Sequence, residues 1–188
     1  MSVPLENNEE YLWKDQPCPS AVKAYWFFRR LAVKDLLVYH CGAGHNSLFF
    51  AEKGLGVLGY DESSQNVIEA TKKAKIRNVK NLQYLSTLNE RELAFQGIFV
   101  ANDFHVTTFS ENEKFVEEMA SMLKDGGYLA LACLAQLGEE DDETSLLSDQ
   151  DIAGFLSSHF TEVHTDLYTD IVGGKKKWFI LAKKRERK

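Results

Sequence analysis

The chain has 188 residues with a hydrophobic fraction of 44%, enough for one domain with a sizeable core and normal for a globular protein. Its apolar runs fall far short of a membrane span, and residues 1–10 are acidic with no apolar core, which excludes a secretory signal there. The net charge of −6 argues against a nucleic-acid partner, and the three cysteines form neither a C-x-x-C pair nor a zinc pattern, which fits a reducing, cytoplasmic compartment.

In chain order, residues 1–19 read as an N-terminal arm whose aromatic, proline-punctuated part (11–20) folds back over a single domain of residues 20–188. Ser20 is the expected N-cap of a helix to about 31. A short apolar strand over 34–40 runs straight into the turn His40-Cys41-Gly42-Ala43-Gly44-His45-Asn46 and suits the buried interior of a parallel sheet. The alternation continues with a helix over 46–53 capped by Gly54, then a strand over 55–60 ending at Asp61. Ser63 or Ser64 opens a helix to 74 with Val67, Ile68, Thr71 and Ala74 on its apolar face. Strands are expected over 82–85 and 98–101, then a helix over 112–123 stopped by Asp125-Gly126-Gly127, and a strand over 128–134. The acidic run of residues 139–143 is a solvated loop. Ser148 opens a helix to about 157, and strands over 161–169 and 177–183 meet at a Gly173-Gly174 turn.

Strands alternating with helices imply βαβ units. The helix-free final pair implies an antiparallel hairpin at the sheet edge. The expected fold is therefore α/β, a Rossmann-like three-layer sandwich with a mostly parallel sheet and an antiparallel C-terminal hairpin.

In such sheets ligands bind beyond the C-terminal ends of the strands, where strand order switches. Three segments fall there. The glycine turn offers close backbone approach and the free amides of a helix start. Asp61 offers a carboxylate able to accept both hydroxyls of a ribose, or else is a helix-flanking surface acid. Asn102-Asp103-Phe104-His105 offers polar and aromatic groups, among them His105 as a base or a hydrogen-bonding residue. A dinucleotide enzyme needs a second mononucleotide-binding half, and this chain closes with a hairpin instead.

The stretch 36–74, LLVYHCGAGHNSLFFAEKGLGVLGYDESSQNVIEATKKA, resembles the first half of a class I S-adenosylmethionine (SAM)-dependent methyltransferase. The similarity runs through residues 97–102 and 123–127 to cover about 11–183, and is nearest to the small tellurite-resistance-like branch. The resemblance implies SAM as cofactor, with Gly42 and Gly44 passing close to it and Asp61 on its ribose. Glu62 and Ser63 would flank the adenine, with Thr87 and Leu88 following the third strand beside it. Asn102, Phe104 and His105 would line the methionine end and the substrate mouth. The segment from Tyr11 to Pro17 resembles an aromatic lid, with Trp13 nearest the site.

Three positions depart from the family pattern. His40 stands where the first glycine of G-x-G-x-G is usual, so its side chain either crowds the ligand or contacts it. Val38 replaces an acid that helps hold the methionine amino group, and Ser86-Thr87 replaces the adenine-side acid.

Methyl transfer is an in-line displacement needing proximity, orientation and sometimes a base, here His105, and no metal. The leading expectation is a methyltransferase for a small-molecule acceptor. The alternative is an inactive protein of the same fold that binds or scaffolds a protein partner. An RNA-modifying enzyme finds support only in the basic tail (Lys175, Lys176, Lys177, Lys183, Lys184, Arg185, Arg187, Lys188), which reads first as an edge hairpin and a frayed end and only secondarily as an RNA or phosphate contact.

Overall fold

A computed structural model describes residues 16–88, 94–104, 109–135, 148–169 and 176–186, with the backbone alone for 102–104 and 109–111. The elements run α1 (Pro19–Arg30), β1 (Asp35–Tyr39), α2 (His45–Glu52), β2 (Gly56–Tyr60), α3 (Ser64–Ile76), β3 (Leu82–Leu85), β4 (Phe95–Phe104), α4 (Phe109–Ser121), β5 (Leu123–Leu134), α5 (Asp149–Leu156), β6 (Phe160–Thr169) and β7 (Lys176–Lys184).

Among the described residues, seven strands form one sheet in the order β3-β2-β1-β4-β5-β7-β6. Strands β1 to β5 pair in parallel, whereas β7 pairs antiparallel with both β5 and β6. The alternation of β1 divides two cores. Leu36 and Val38 face a cluster containing Phe28, Leu48, Phe50, Ala70 and Ala74 from α1, α2 and α3. Leu37 and Tyr39 face the opposite cluster, with Val116 and Met119 from α4 and Ile152 and Leu156 from α5. Helices therefore cover both faces, giving the expected three layers. The order also puts the topological switch between β1 and β4, since the chain builds outward from β1 to β3 and then returns to β4.

Several boundaries differ from the sequence reading, for local reasons. Cys18, not Ser20, caps α1, because Pro19 occupies the first helical turn, where its missing N–H costs nothing. The Cys18 amide donates to Asn46 Oδ1 at 2.9 Å, tying the start of α1 to the start of α2. Lys53 takes the cap position of α2, and Gly54 follows it at φ +92°. Ile68 is exposed, and the buried face of α3 is Ala70 and Ala74 with Val67 half-buried beside them. Asp125-Gly126-Gly127 does not stop the helix, which already ends at Ser121. It is a bulge in β5, where Phe95 pairs with Leu123 and Gly97 with Tyr128. A Cβ on Gly127 would lie 2.8 Å from the Lys124 carbonyl oxygen.

Two caps were legible in the sequence. Ser63 accepts the Asn66 amide at the start of α3, and Ser148 forms a reciprocal capping box with Asp151 on α5. The basic tail is partly engaged in the fold. Lys183 pairs with Glu162, while Lys184 is buried, donates to the Leu123 carbonyl and pairs with Asp125. Lys175, Arg187, Lys188, the 139–143 run and the Gly173-Gly174 turn lie outside the described residues. No helix among the described residues is long and apolar enough to cross a membrane.

Candidate functional site

The parallel strands bring their C-terminal ends to one edge of the sheet. His40 through Gly44 follow β1 there, Asp61 through Ser63 follow β2, Thr87 and Leu88 follow β3, and Asn102 lies near the end of β4. Four segments distant in sequence thus share one edge of the sheet, those after β1 and β4 flanking the switch point. Between Ala101 and Phe104 the β4–β5 register shifts, so the backbone of Asn102 and Asp103 bulges from the ladder beside this edge.

The turn after β1 has an unusual backbone. His40, Gly42 and Gly44 all adopt left-handed conformations, with φ of +48°, +54° and +85°. For glycine this carries no steric cost, whereas for His40 it costs about 1 kcal/mol. The His40 ring lies 4.3 Å from the Tyr39 ring centroid and 5.9 Å from that of Tyr60. The two glycines serve different ends. A Cβ on Gly42 would meet no atom within 4 Å, so this position opens outward. A Cβ on Gly44 would sit 2.4 Å from the Tyr84 hydroxyl oxygen and 2.8 Å from Ala70 Cβ, so Gly44 faces the packed interior.

Asp61 is 8% exposed. Its Oδ2 accepts the Gly42 amide at 2.8 Å, and its Oδ1 accepts the Ser63 amide and Asn66 Nδ2, each at 3.0 Å. These neutral donors compensate the buried charge. A carboxylate has roughly four lone-pair positions. Oδ2, with one protein donor, keeps acceptor capacity for a ligand hydroxyl. The Asp61 carboxylate therefore does two things: it ties the β2 end to the glycine turn, and it presents an acceptor at the edge. Glu62, Ser63 and Thr87 are exposed around it, and Leu88 is half-buried against the α4 core.

Beneath the turn the groups are held neutral. Burial, and then the Asp61 charge, push the Cys41 thiol up to about 12, and burial likewise raises the Tyr84 phenol. Across the sheet, the Tyr39 hydroxyl donates to Glu118 Oε1 at 2.6 Å, joining the end of β1 to α4. Burial and the Glu118 carboxylate raise the Tyr39 phenol as well.

Residues 37–127 match a family model described as a methyltransferase domain. Solved structures superpose over most of the chain. One is 1,6-didemethyltoxoflavin-N1-methyltransferase from Burkholderia thailandensis, with 1,6-didemethyltoxoflavin and S-adenosylhomocysteine bound. It has a TM-score of 0.71 and 16% identity, covering 99% of this chain and 94% of that one. The N-methyltransferase NodS from Bradyrhizobium japonicum, in complex with S-adenosylhomocysteine, gives 0.68 and 17%, covering 97% and 95%. TehB from Haemophilus influenzae gives 0.65 and 16%, covering 88% of this chain and 61% of that one.

The chain has the class I methyltransferase fold. No curated protein sequence matches it at a significant level.

The residues at this edge would suit SAM best at its nucleoside end. Asp61 Oδ2 keeps acceptor capacity of the kind a ribose hydroxyl would use, a Cβ on Gly42 would meet no atom within 4 Å, and His40 takes the left-handed backbone that a glycine would take there. At the methionine end Val38 is 2% exposed and belongs to the apolar core, so no carboxylate stands at that position. Trp13 and His105 lie outside the described residues, and Asn102 is described by its backbone alone.

Two contributors escaped the sequence reading. Asn66 lies one helical turn beyond the Ser63 cap, a spacing that helix geometry alone puts near Asp61. Tyr84 gives no such signal, because it acts on a glycine 40 residues away.

Proposed function

We propose that the protein transfers a methyl group from SAM to a small-molecule acceptor. The observation that carries this reading is the left-handed sequence His40, Gly42, Gly44, closed by the Gly42 amide on Asp61 at the switch point of the sheet. Asp61 binds the ribose hydroxyls. Glu62 and Ser63 flank the adenine, with Thr87 and Leu88 beside it. Gly42 and Gly44 shape the turn against the cofactor, and His40 and Asn102 meet the methionine end. Trp13 belongs to a lid over the cofactor within an arm of residues 1–19, and residues 20–188 form the catalytic domain.

SAM supplies an electrophilic methyl on a sulfonium. The chain orients the acceptor in line with it, excludes water, and provides His105 to take the acceptor's proton where there is one to lose. A soft anionic acceptor such as a thiolate needs no base, and His105 then only shapes the mouth. The neighbour that holds 1,6-didemethyltoxoflavin supports an acceptor of small size. The three free cysteines support a reducing, cytoplasmic setting.

Calorimetric titration with SAM and with S-adenosylhomocysteine tests the reading. Saturable micromolar binding is expected. Absence of heat at millimolar ligand, in protein shown to be folded, overturns it. A second reading, a catalytically inactive protein of this fold that acts by binding a protein partner, is favoured by the buried Val38 where a carboxylate would hold the ligand's ammonium. Methyl transfer from labelled SAM to any small acceptor excludes it.

A further inference from the structure

Tyr84 belongs to β3, yet its ring reaches across β2 to the turn that follows β1. Two glycines leave room for it. A Cβ on Gly59, in β2, would stand 2.4 Å from Tyr84 Cδ1, and one on Gly44 would stand 2.4 Å from the Tyr84 hydroxyl oxygen. Gly59 has an ordinary strand backbone, so a turn does not explain its being glycine, whereas the ring does. Tyr84 is 9% exposed and packs in the core with Cys41, Leu48 and Ala70.

The hydroxyl has a definite partner. It donates to the Gly44 carbonyl at 3.2 Å, and the same oxygen accepts the Leu48 amide at 2.9 Å in the first helical bond of α2. The N-cap carbonyl of α2 is thereby tied to β3. The amide of Gly44 in turn donates to the Cys41 carbonyl at 3.0 Å, so the tie passes directly into the turn.

We propose that Tyr84 is a positioning residue for the ligand edge: through the Gly44 carbonyl it sets the direction of the start of α2 and holds the His40 to Gly44 turn in its left-handed geometry. Its effect on cofactor binding rests on the methyltransferase reading above. Its effect on the turn does not.

Tyr84→Phe keeps the ring and removes only the hydroxyl. Three readouts separate positioning from packing: amide hydrogen exchange at Gly44 and Leu48, thermal midpoint, and affinity for S-adenosylhomocysteine by calorimetry. Exchange at these two amides should rise about fivefold, the scale of one net hydrogen bond, while Tm falls by no more than about 4 °C. Affinity should fall about three- to tenfold.

A second pair of variants checks the packing argument. Gly59→Ala should lower Tm strongly by colliding with the ring. Adding Tyr84→Leu should recover part of that Tm without recovering affinity, because the hydroxyl tie stays lost. Unchanged exchange at Gly44 and Leu48 in Tyr84→Phe, or a rise shared equally by the whole sheet, overturns the proposal. If the unmutated protein shows no affinity for the nucleoside, the methyltransferase reading falls, and the exchange measurements still decide the role of Tyr84.

Discussion

Asp61 is nearly buried, and among the described residues it is held by two backbone amides and one side-chain amide rather than by a cation. Such a carboxylate is structural and available to a ligand at once, and two substitutions separate the roles. Asp61→Ala strands three donors, so stability should fall by roughly 2–3 kcal/mol in denaturant titration, with loss of S-adenosylhomocysteine binding. Gly42→Ala meets no protein atom within 4 Å. Its strain at φ +54° should cost only about 1 kcal/mol, yet the new methyl would enter open space that the proposed cofactor would use, and affinity should drop more than about tenfold. Equal affinity for the two proteins would remove Gly42 from the site. At this scale the sequence pointed to Gly42 and Asp61 as residue types in the right order. It could not show that His40 would take a glycine-like backbone, because that conformation is imposed by the turn around it.

The elements that carry the site are braced at the far end of the sheet by Asn81, just before β3. Its side-chain amide donates to the carbonyls of Ala51 at 2.8 Å and Leu55 at 2.6 Å, satisfying the end of α2 and the entry to β2. Asn81→Ala should therefore lower stability by about 1–2 kcal/mol and leave nucleoside affinity unchanged, since the ligand edge lies at the other end of the strands. A fall in affinity as large as that of Asp61→Ala would show that the two ends of the sheet are mechanically coupled. Element identity was readable from apolar runs and from caps such as Ser63 and Ser148. Element ends were less so. β4 extends to Phe104 and β5 absorbs Asp125-Gly126-Gly127 as a bulge, because neighbouring strands supply the pairing that continues each ladder past the local signal.

In the whole molecule, thiols lie sealed on both sides of the sheet, Cys41 in one core and Cys133 in the other. Burial pushes each from 9.0 up to about 12. A raised pKa means that the folded state keeps its proton while the unfolded chain loses it. The stability contributed by these protonated thiols should be fully present below pH 9.0 and decline as pH climbs toward about 12, by about 1.4 kcal/mol per pH unit for each thiol. Tyr39 and Tyr84, also raised, steepen the decline above pH 10.0. Tm should be flat near neutrality and drop sharply above pH 9.0, and the Cys41→Ala, Cys133→Ala double variant should drop less steeply over pH 9–10. An equal slope in both proteins would show that the thiols are not the groups responsible.

Short-range chemistry carried much of this protein within its sequence. Apolar periodicity determined the alternation of strands and helices, the helix-free final pair implied an antiparallel hairpin, and a glycine turn followed by Asp61 pointed to the edge of the sheet where the two meet. Contacts between distant segments decided the rest: β7 entering between β5 and β6, Tyr84 reaching past Gly59 to the Gly44 carbonyl, and Gly44 facing inward while Gly42 faces out. Periodicity and capping act over a few residues and leave their trace in local order. Which strand lies beside which, and which side chain fills the space a glycine leaves, depends on close packing between segments that meet only when the sheet is assembled.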